Sequence, residues 1–252
     1  MAGAARPKIL VTRPQPGAAQ TAQRLANHNL ETLVLPFTEM VGLTHQLDDS
    51  VLGNASAVLV TSANALRHAD DALLTKLRHL PIYTVGDATK EVALEKQFQI
   101  VESADGDARD LIKLVASKLE ANASTVYLCG ETRTDDVELQ LGGRGIKVYV
   151  SETYRTKTVS QLTYEMSELI QHRSIDGILL YSSISARILN EHWSTDSVAN
   201  SSVIPMIFCI SERTKLALRT DLREDVIVCA QPRDDVMIET VRAYYQSKNR
   251  DF

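Results

Sequence analysis

The sequence lacks most of the short signatures that announce a chemistry. No Gly-x-Gly-x-x-Gly follows Ile9–Val11, where a dinucleotide-binding turn would stand, and no Gly-x-x-x-x-Gly-Lys-Ser/Thr phosphate loop occurs. There is no His-Glu-x-x-His and no i, i+4 histidine pair among His28, His45, His68, His79, His172 and His192, which disfavours a metal site. A Gly-x-Ser-x-Gly elbow is missing too. Cysteine is scarce: Cys129, Cys209 and Cys229 are an odd number, far apart, each inside or at the end of an apolar run. They read as buried reduced thiols, not a disulfide framework. A basic surplus is also absent, with 27 Lys and Arg against 32 Asp and Glu and a net charge of −5. Phosphate neutralisation favours basic chains, so nucleic acid is not the expected partner. The longest apolar runs, such as Ile204–Ile210, fall far short of the roughly 20 residues of a membrane span. Met1–Pro7 has no secretory hydrophobic segment, so the expectation is a cytoplasmic chain with no membrane partner.

What is present is strand–helix alternation. Ile9–Val11, Thr32–Leu35, Ala57–Val60, Ile82–Val85 and Ile100–Val101 read as buried parallel strands. Val126–Cys129, Ile146–Val150, Gly177–Leu180, Ile204–Ile210 and Val226–Cys229 continue the series. Ala18–Ala22–Leu25–Ala26 and Leu111–Ile112–Val115–Leu119 carry helical spacing between them. Such alternation predicts an α/β fold with doubly wound parallel sheets.

An internal repeat divides the chain. Val58–Ala65 is similar to Ile178–Ser185, Ile82–Lys90 to Ile207–Lys215, and the strand–turn–helix–strand from Ile9 to Leu35 to that from Val126 to Val150. Each half supplies about five strands, enough for one small domain, so two similar domains are expected. Pro36–Leu43 and Val148–Thr156 are extended, mixed in polarity and at equivalent points of the halves. They are either an ordinary loop and edge strand or a two-stranded connector that makes one domain discontinuous.

In parallel sheets ligands gather beyond the carboxyl ends of the strands. Those ends are Thr12-Arg13-Pro14, Thr61-Ser62-Ala63-Asn64, Gly86-Asp87-Ala88-Thr89, Gly130-Glu131-Thr132-Arg133, Tyr181-Ser182-Ser183 and Ser211-Glu212-Arg213-Thr214. Nearly all are small or hydroxyl-bearing. Taken singly, each Ser or Thr suits a helix N-cap. Taken together, helix-start N–H groups and hydroxyls at one edge of both halves suit a ligand with many carboxylates, without formal positive charge. Gly142-Gly143-Arg144-Gly145 reads as a helix C-cap and turn, and Asp105-Gly106-Asp107 as a turn and N-cap. Tyr154 is either an aromatic packed on a strand or a phenol over a cleft, able to donate a proton to a leaving oxygen.

These motifs together resemble the uroporphyrinogen-III synthase family over nearly the whole chain. The resemblance rests on Ile9–Pro14, Thr61–Ala65, Val85–Thr89, Gly130–Arg133 with Gly145, Tyr154–Thr156, Tyr181–Ser183 and Ile210–Thr214. It implies two similar flavodoxin-like parallel-sheet domains joined by a two-stranded antiparallel connector, with the active site in the cleft between them. Domain one would be 1–35 with 157–252, domain two 46–147, and the linker 36–45 with 148–156; the repeat alone also allows a simple cut near Ala121. The family closes the linear tetrapyrrole hydroxymethylbilane to uroporphyrinogen III, losing water and inverting ring D, with no cofactor and no metal. Tyr154 matches the tyrosine thought to assist departure of the ring-A hydroxyl. Thr89 and Thr214 match threonines at helix starts. Ser62, Ala63, Asn64, Gly86, Gly130, Ser182, Ser183 and Ser211 would hold the acetates and propionates, with Arg13 and Arg133 at positions often basic. Ser211 departs from the family, whose turn usually has Gly there. The resemblance also implies a monomer in transient contact with the preceding pathway enzyme. A non-catalytic two-lobed binder of a small polycarboxylate would need the same cleft; the absent phosphate loops count against the other alternative, a phosphoribosyl or nucleotide-binding α/β enzyme.

Overall fold

The computed structural model describes residues 6–159, 162, 169, 175–193 and 205–248. Strands β1 (Lys8–Val11) and β2 (Glu31–Val34) flank helix α1 (Gly17–Ala26). After β3 (Thr38–Gly42) come α2 (Asp49–Gly53), β4 (Ala57–Val60), α3 (Ala63–His68), α4 (Asp71–Leu77), β5 (Ile82–Thr84) and α5 (Asp87–Glu95). β6 (Val101–Ser103), α6 (Ala108–Lys118), β7 (Ser124–Gly130), α7 (Asp136–Gly142) and β8 (Lys147–Thr158) follow. The last described elements are β9 (Gly177–Leu180), α8 (Ser183–His192), β10 (Met206–Cys209), α9 (Glu212–Leu216), a 3₁₀ turn (Thr220–Leu222), β11 (Val226–Val228) and α10 (Asp234–Lys248).

The strands form two sheets, ordered β11-β10-β9-β1-β2 and β3-β8-β7-β4-β5-β6. Every pairing in the first sheet is parallel, and so are those from β8 to β6 in the second. The chain divides into two compact units, Met1–Glu39 with Lys157–Phe252, and Met40–Thr156. The internal repeat reappears in the strand order. With β9, β10, β11, β1 and β2 matched to β4, β5, β6, β7 and β8, both sheets run third, second, first, fourth, fifth, and the second adds β3 beyond its fifth strand. The first unit takes its fourth and fifth strands from the start of the chain.

Period-two alternation sorts each sheet's side chains onto two faces, and helices cover both. In the second unit Val58, Val60, Val126 and Leu128 pack with Leu66, Leu73, Leu74 and Val92 of α3, α4 and α5. Ala57, Leu59, Tyr127 and Cys129 pack on the other side with Leu111, Ile112, Val137 and Leu141 of α6 and α7. The first unit repeats this, with Leu10, Ile178, Leu180 and Ile207 against α8 and Ile9, Val11, Leu179 and Phe208 against α1 and α10. Such cores, with strands fully inaccessible on both faces, are the main source of stability.

The expected turns are present. α7 closes at Gly143, Gly145 takes a left-handed φ of 80°, and Asp107 caps α6 in a reciprocal box with Asp110. Several details differ from the sequence reading. The strand expected at Ile100–Val101 is Val101–Ser103, half-buried at the edge of its sheet, and Ile100 is exposed. The buried stripe of α1 is Gly17, Ala18, Thr21 and Leu25, while Ala26 is exposed, because Thr21 turns inward to a carboxylate. The strand placed at Ile146–Val150 instead continues without a break to Thr158. β10 spans Met206–Cys209; Ile204, expected in that strand, and His172, expected on a helix or loop, lie outside the described residues.

Candidate functional site

The polar strand ends meet helix starts at the carboxyl edge of each sheet. In the second unit Ser62 caps α3, its Oγ accepting the Asn64 N–H at 3.3 Å, with Ala63 as first helical residue. Asn64 in turn accepts from Arg67 at 3.2 Å. Gly86 stands at the cap of α5 without a side-chain bond, and a Cβ added there would meet nothing within 4 Å. Thr89, buried, is the third residue of that helix, its N–H donating to the Gly86 carbonyl at 3.0 Å.

The first unit carries the same arrangement. Ser182 caps α8, accepting the Ser185 N–H at 3.1 Å, and Ser183 donates to the Arg213 carbonyl at 3.3 Å. Ser211 caps α9, accepting the Thr214 N–H at 3.4 Å, and Thr214 is buried as the third residue of that helix. Ser211 sits at φ −158°, ψ 163° and Gly86 at φ −155°, ψ 173°. This is extended backbone open to any residue, so serine in place of glycine costs no strain. A capping serine satisfies one of the orphan N–H groups of a first turn and leaves the others for water or a ligand.

The two arginines are committed to carboxylates. Arg13 donates to Asp234 at 2.9 Å and to Thr21 at 3.2 Å, and its guanidinium lies 4.4 Å from the centre of the Tyr181 ring. Asp234 also accepts from Tyr181 at 2.6 Å, Thr21 at 2.8 Å and Arg24 at 2.7 Å. Burial alone would raise the Asp234 pKa, but these hydrogen bonds and the Arg13 charge outweigh it and hold the carboxyl below its usual range. Burial and the bond to Asp234 push the Tyr181 phenol well up. Arg133 donates to Glu138 and Glu152, each at 2.8 Å, and lines a cavity of about 570 Å³ with Thr44, Gln46, Glu131, Ser151 and Glu152. Burial opposes its charge, yet the two carboxylates hold Arg133 protonated.

Tyr154 stands on β8 opposite Gly130, half-buried. Its ring packs against the α3 face of the core, 5.8 Å from the His68 ring. A Cβ on Gly130 would approach the Tyr154 Cζ to 2.7 Å, so the missing side chain makes room for the ring. Among the described residues no hydrogen bond engages its hydroxyl. Burial, then the Arg67 and Lys96 charges, lower the His68 pKa and keep that imidazole neutral near pH 7.

Sequence reasoning missed Asp234, Thr21 and Thr153. Asp234 left only a faint signal, an acidic residue opening the last helix. Among the described residues no group of three His, Cys, Asp or Glu is placed to hold a metal ion. No described helix is long and apolar enough to cross a membrane.

Two units, each a mainly parallel sheet with helices on both faces and small, hydroxyl-rich helix starts at its carboxyl edge, define the class as α/β. Within that class the chain belongs to the uroporphyrinogen-III synthase family, whose model, described as uroporphyrinogen-III synthase HemD, matches residues 19–239. Among solved structures the fold is similar to a uroporphyrinogen-III synthetase from Helicobacter pylori 26695, at 16% identity and a TM-score of 0.63 over 95% of this chain and 100% of that one. It is similar also to a mutant uroporphyrinogen III synthase from the extremely thermophilic bacterium Thermus thermophilus, at 14% identity and a TM-score of 0.50 over 96% and 99%. No curated protein matches by sequence.

Proposed function

We propose that this chain closes hydroxymethylbilane to uroporphyrinogen III, losing water and inverting ring D. The observation that carries the reading is the family match across 19–239. The reaction does not require a strong nucleophile. Loss of the ring-A hydroxyl yields a reactive azafulvene, and closure then occurs even in free solution, without inversion. The protein's task is to hold a flexible polyacid so that ring D is attacked at its substituted carbon, forming a spiro intermediate. That is orientation and complementarity to a transition-state shape.

The work is divided among the rims and the phenol. The first-turn amides and side chains at Ser62, Ala63, Asn64, Gly86 and Thr89 in one unit, and at Ser182, Ser183, Ser211 and Thr214 in the other, hold acetates and propionates. Tyr154 gives its phenol proton to the departing hydroxyl, which leaves as water, and the pyrrole N–H proton released as the azafulvene forms makes good the loss. Its unengaged hydroxyl supports this role, and Gly130 gives its ring room. Arg13 and Arg133, paired with carboxylates, add structure and field at the rims and do not grip substrate directly.

The finer architecture belongs to the same reading: flavodoxin-like domains of 1–35 with 157–252 and of 46–147, linked by 36–45 and 148–156 as an antiparallel pair. The Leu43 N–H bonds the Thr153 carbonyl at 2.8 Å and the Val159 N–H the Phe37 carbonyl at 3.1 Å, partners whose numbers rise on one segment as they fall on the other. The enzyme works as a cytoplasmic monomer, in transient contact with the enzyme that makes its short-lived substrate. The test supplies freshly generated hydroxymethylbilane and separates product isomers. The type III isomer supports the proposal; only the spontaneous type I isomer leaves a non-catalytic binder.

A further inference from the structure

Strict alternation along β8 would aim Tyr154 at the wrong face. Val148 and Val150 pack against the α6–α7 side of the sheet, and Glu152 reaches Arg133, which also holds Glu138 of α7. The next residue on that face, two further on, should be Tyr154. Instead its ring lies on the opposite side, against the α3 core and beside His68. The cause is a register shift: Cys129 pairs with Glu152, but Gly130 pairs with Tyr154, so Thr153 is an extra residue on β8. Such a bulge bends a strand and re-aims the side chains beyond it.

The extra residue is itself tied down. Thr153 is 1% exposed, and its hydroxyl donates to the Ala65 carbonyl of α3 at 2.8 Å, with the Cys129 carbonyl at 3.3 Å. Its own carbonyl accepts the Leu43 N–H, and the Tyr154 carbonyl accepts the Glu131 N–H at 2.9 Å. The bulge is therefore anchored to the helix that Tyr154 must face and to the strand it leaves. Valine has nearly the same shape and β preference but lacks the donor.

We infer that Thr153 is a positioning residue for the cyclisation, its hydroxyl pinning the bulge that turns Tyr154 onto the α3 face. The inference rests on the reading of Tyr154 as proton donor, and two readouts separate the two claims. The first is structural: the nuclear Overhauser cross-peak between the Tyr154 and His68 rings. Thr153→Val, or Thr153→Ala if valine is not tolerated, loses the peak, while Thr153→Ser keeps it. The second is kinetic. Thr153→Val lowers kcat for the type III product roughly tenfold with KM within about twofold, as a misplaced catalytic group does. Thr153→Ser retains more than half the activity, and in a Tyr154→Phe background Thr153→Val causes no further loss. A Thr153→Val protein that keeps the cross-peak overturns the inference, and so does an equal kinetic loss with and without the phenol. Full activity of Tyr154→Phe alone refutes the proton donor, and the cross-peak then still judges the aiming.

Discussion

Removing the Asp234 carboxylate tests how the first unit's rim is held. Asp234→Ala deletes one acceptor that serves four donors, from α1, the loop after β1 and the end of β9. The hydroxyl donors Thr21 and Tyr181 each lose a bond to a charged group, worth at least about 1.5 kcal/mol. Arg13, its side chain 28% exposed, adds about 1 kcal/mol, while Arg24, 51% exposed, adds little. Because these donors share one partner their losses overlap, and about 3 kcal/mol is expected in all. The molecule holds a single tryptophan, Trp193, buried in the first unit, so its fluorescence in urea follows that unit selectively. Asp234→Asn, which keeps an acceptor but not the charge, should lose less than half as much. The folded pKa of Asp234 is depressed, so its contribution is present above about pH 4 and disappears as pH falls through the folded value. The losses caused by both variants should therefore shrink in acid, that of Asp234→Ala by the part that depends on the charge. A loss below about 1 kcal/mol at neutral pH, or one that does not shrink in acid, refutes the reasoning.

Three further outcomes rest on the same geometry. Tyr154→Phe should lower turnover while leaving the urea midpoint nearly unchanged, since no described group bonds its hydroxyl; steady-state rates beside denaturation curves check both halves. Gly130→Ala places a methyl 2.7 Å from the Tyr154 ring, so activity should fall several-fold more than stability, read by the same pair of assays. Burial pushes the Cys129 and Cys209 thiols up to about 12 and raises that of Cys229, so a thiol reagent at pH 8 should label none of them until the protein unfolds.

The fold was legible because β4, β7, β9 and β10 are short apolar runs that cannot be solvated on either face, and because the two halves repeat. The rims were legible for the same reason: Ser62, Ser182 and Ser211 are the residues a helix start prefers. What sequence could not give is partnership across long separations. Arg13 meets Asp234 at a separation of 221 residues, and nothing local to either marks the other. Thr21 is polar yet buried, and its partner is that same distant carboxylate. The bulge at Thr153 was hidden for a different reason. Ser151, Glu152 and Thr153 carry no apolar alternation whose phase could be seen to slip, so the side that Tyr154 faces is decided by pairing alone.

The most direct test is a titration of the protein into a continuous supply of hydroxymethylbilane, with products oxidised and resolved by isomer. The reading above requires the ring-D-inverted product to rise with protein concentration until it displaces the uninverted one. A product mixture that stays uninverted at every concentration, though the protein is folded, contradicts it.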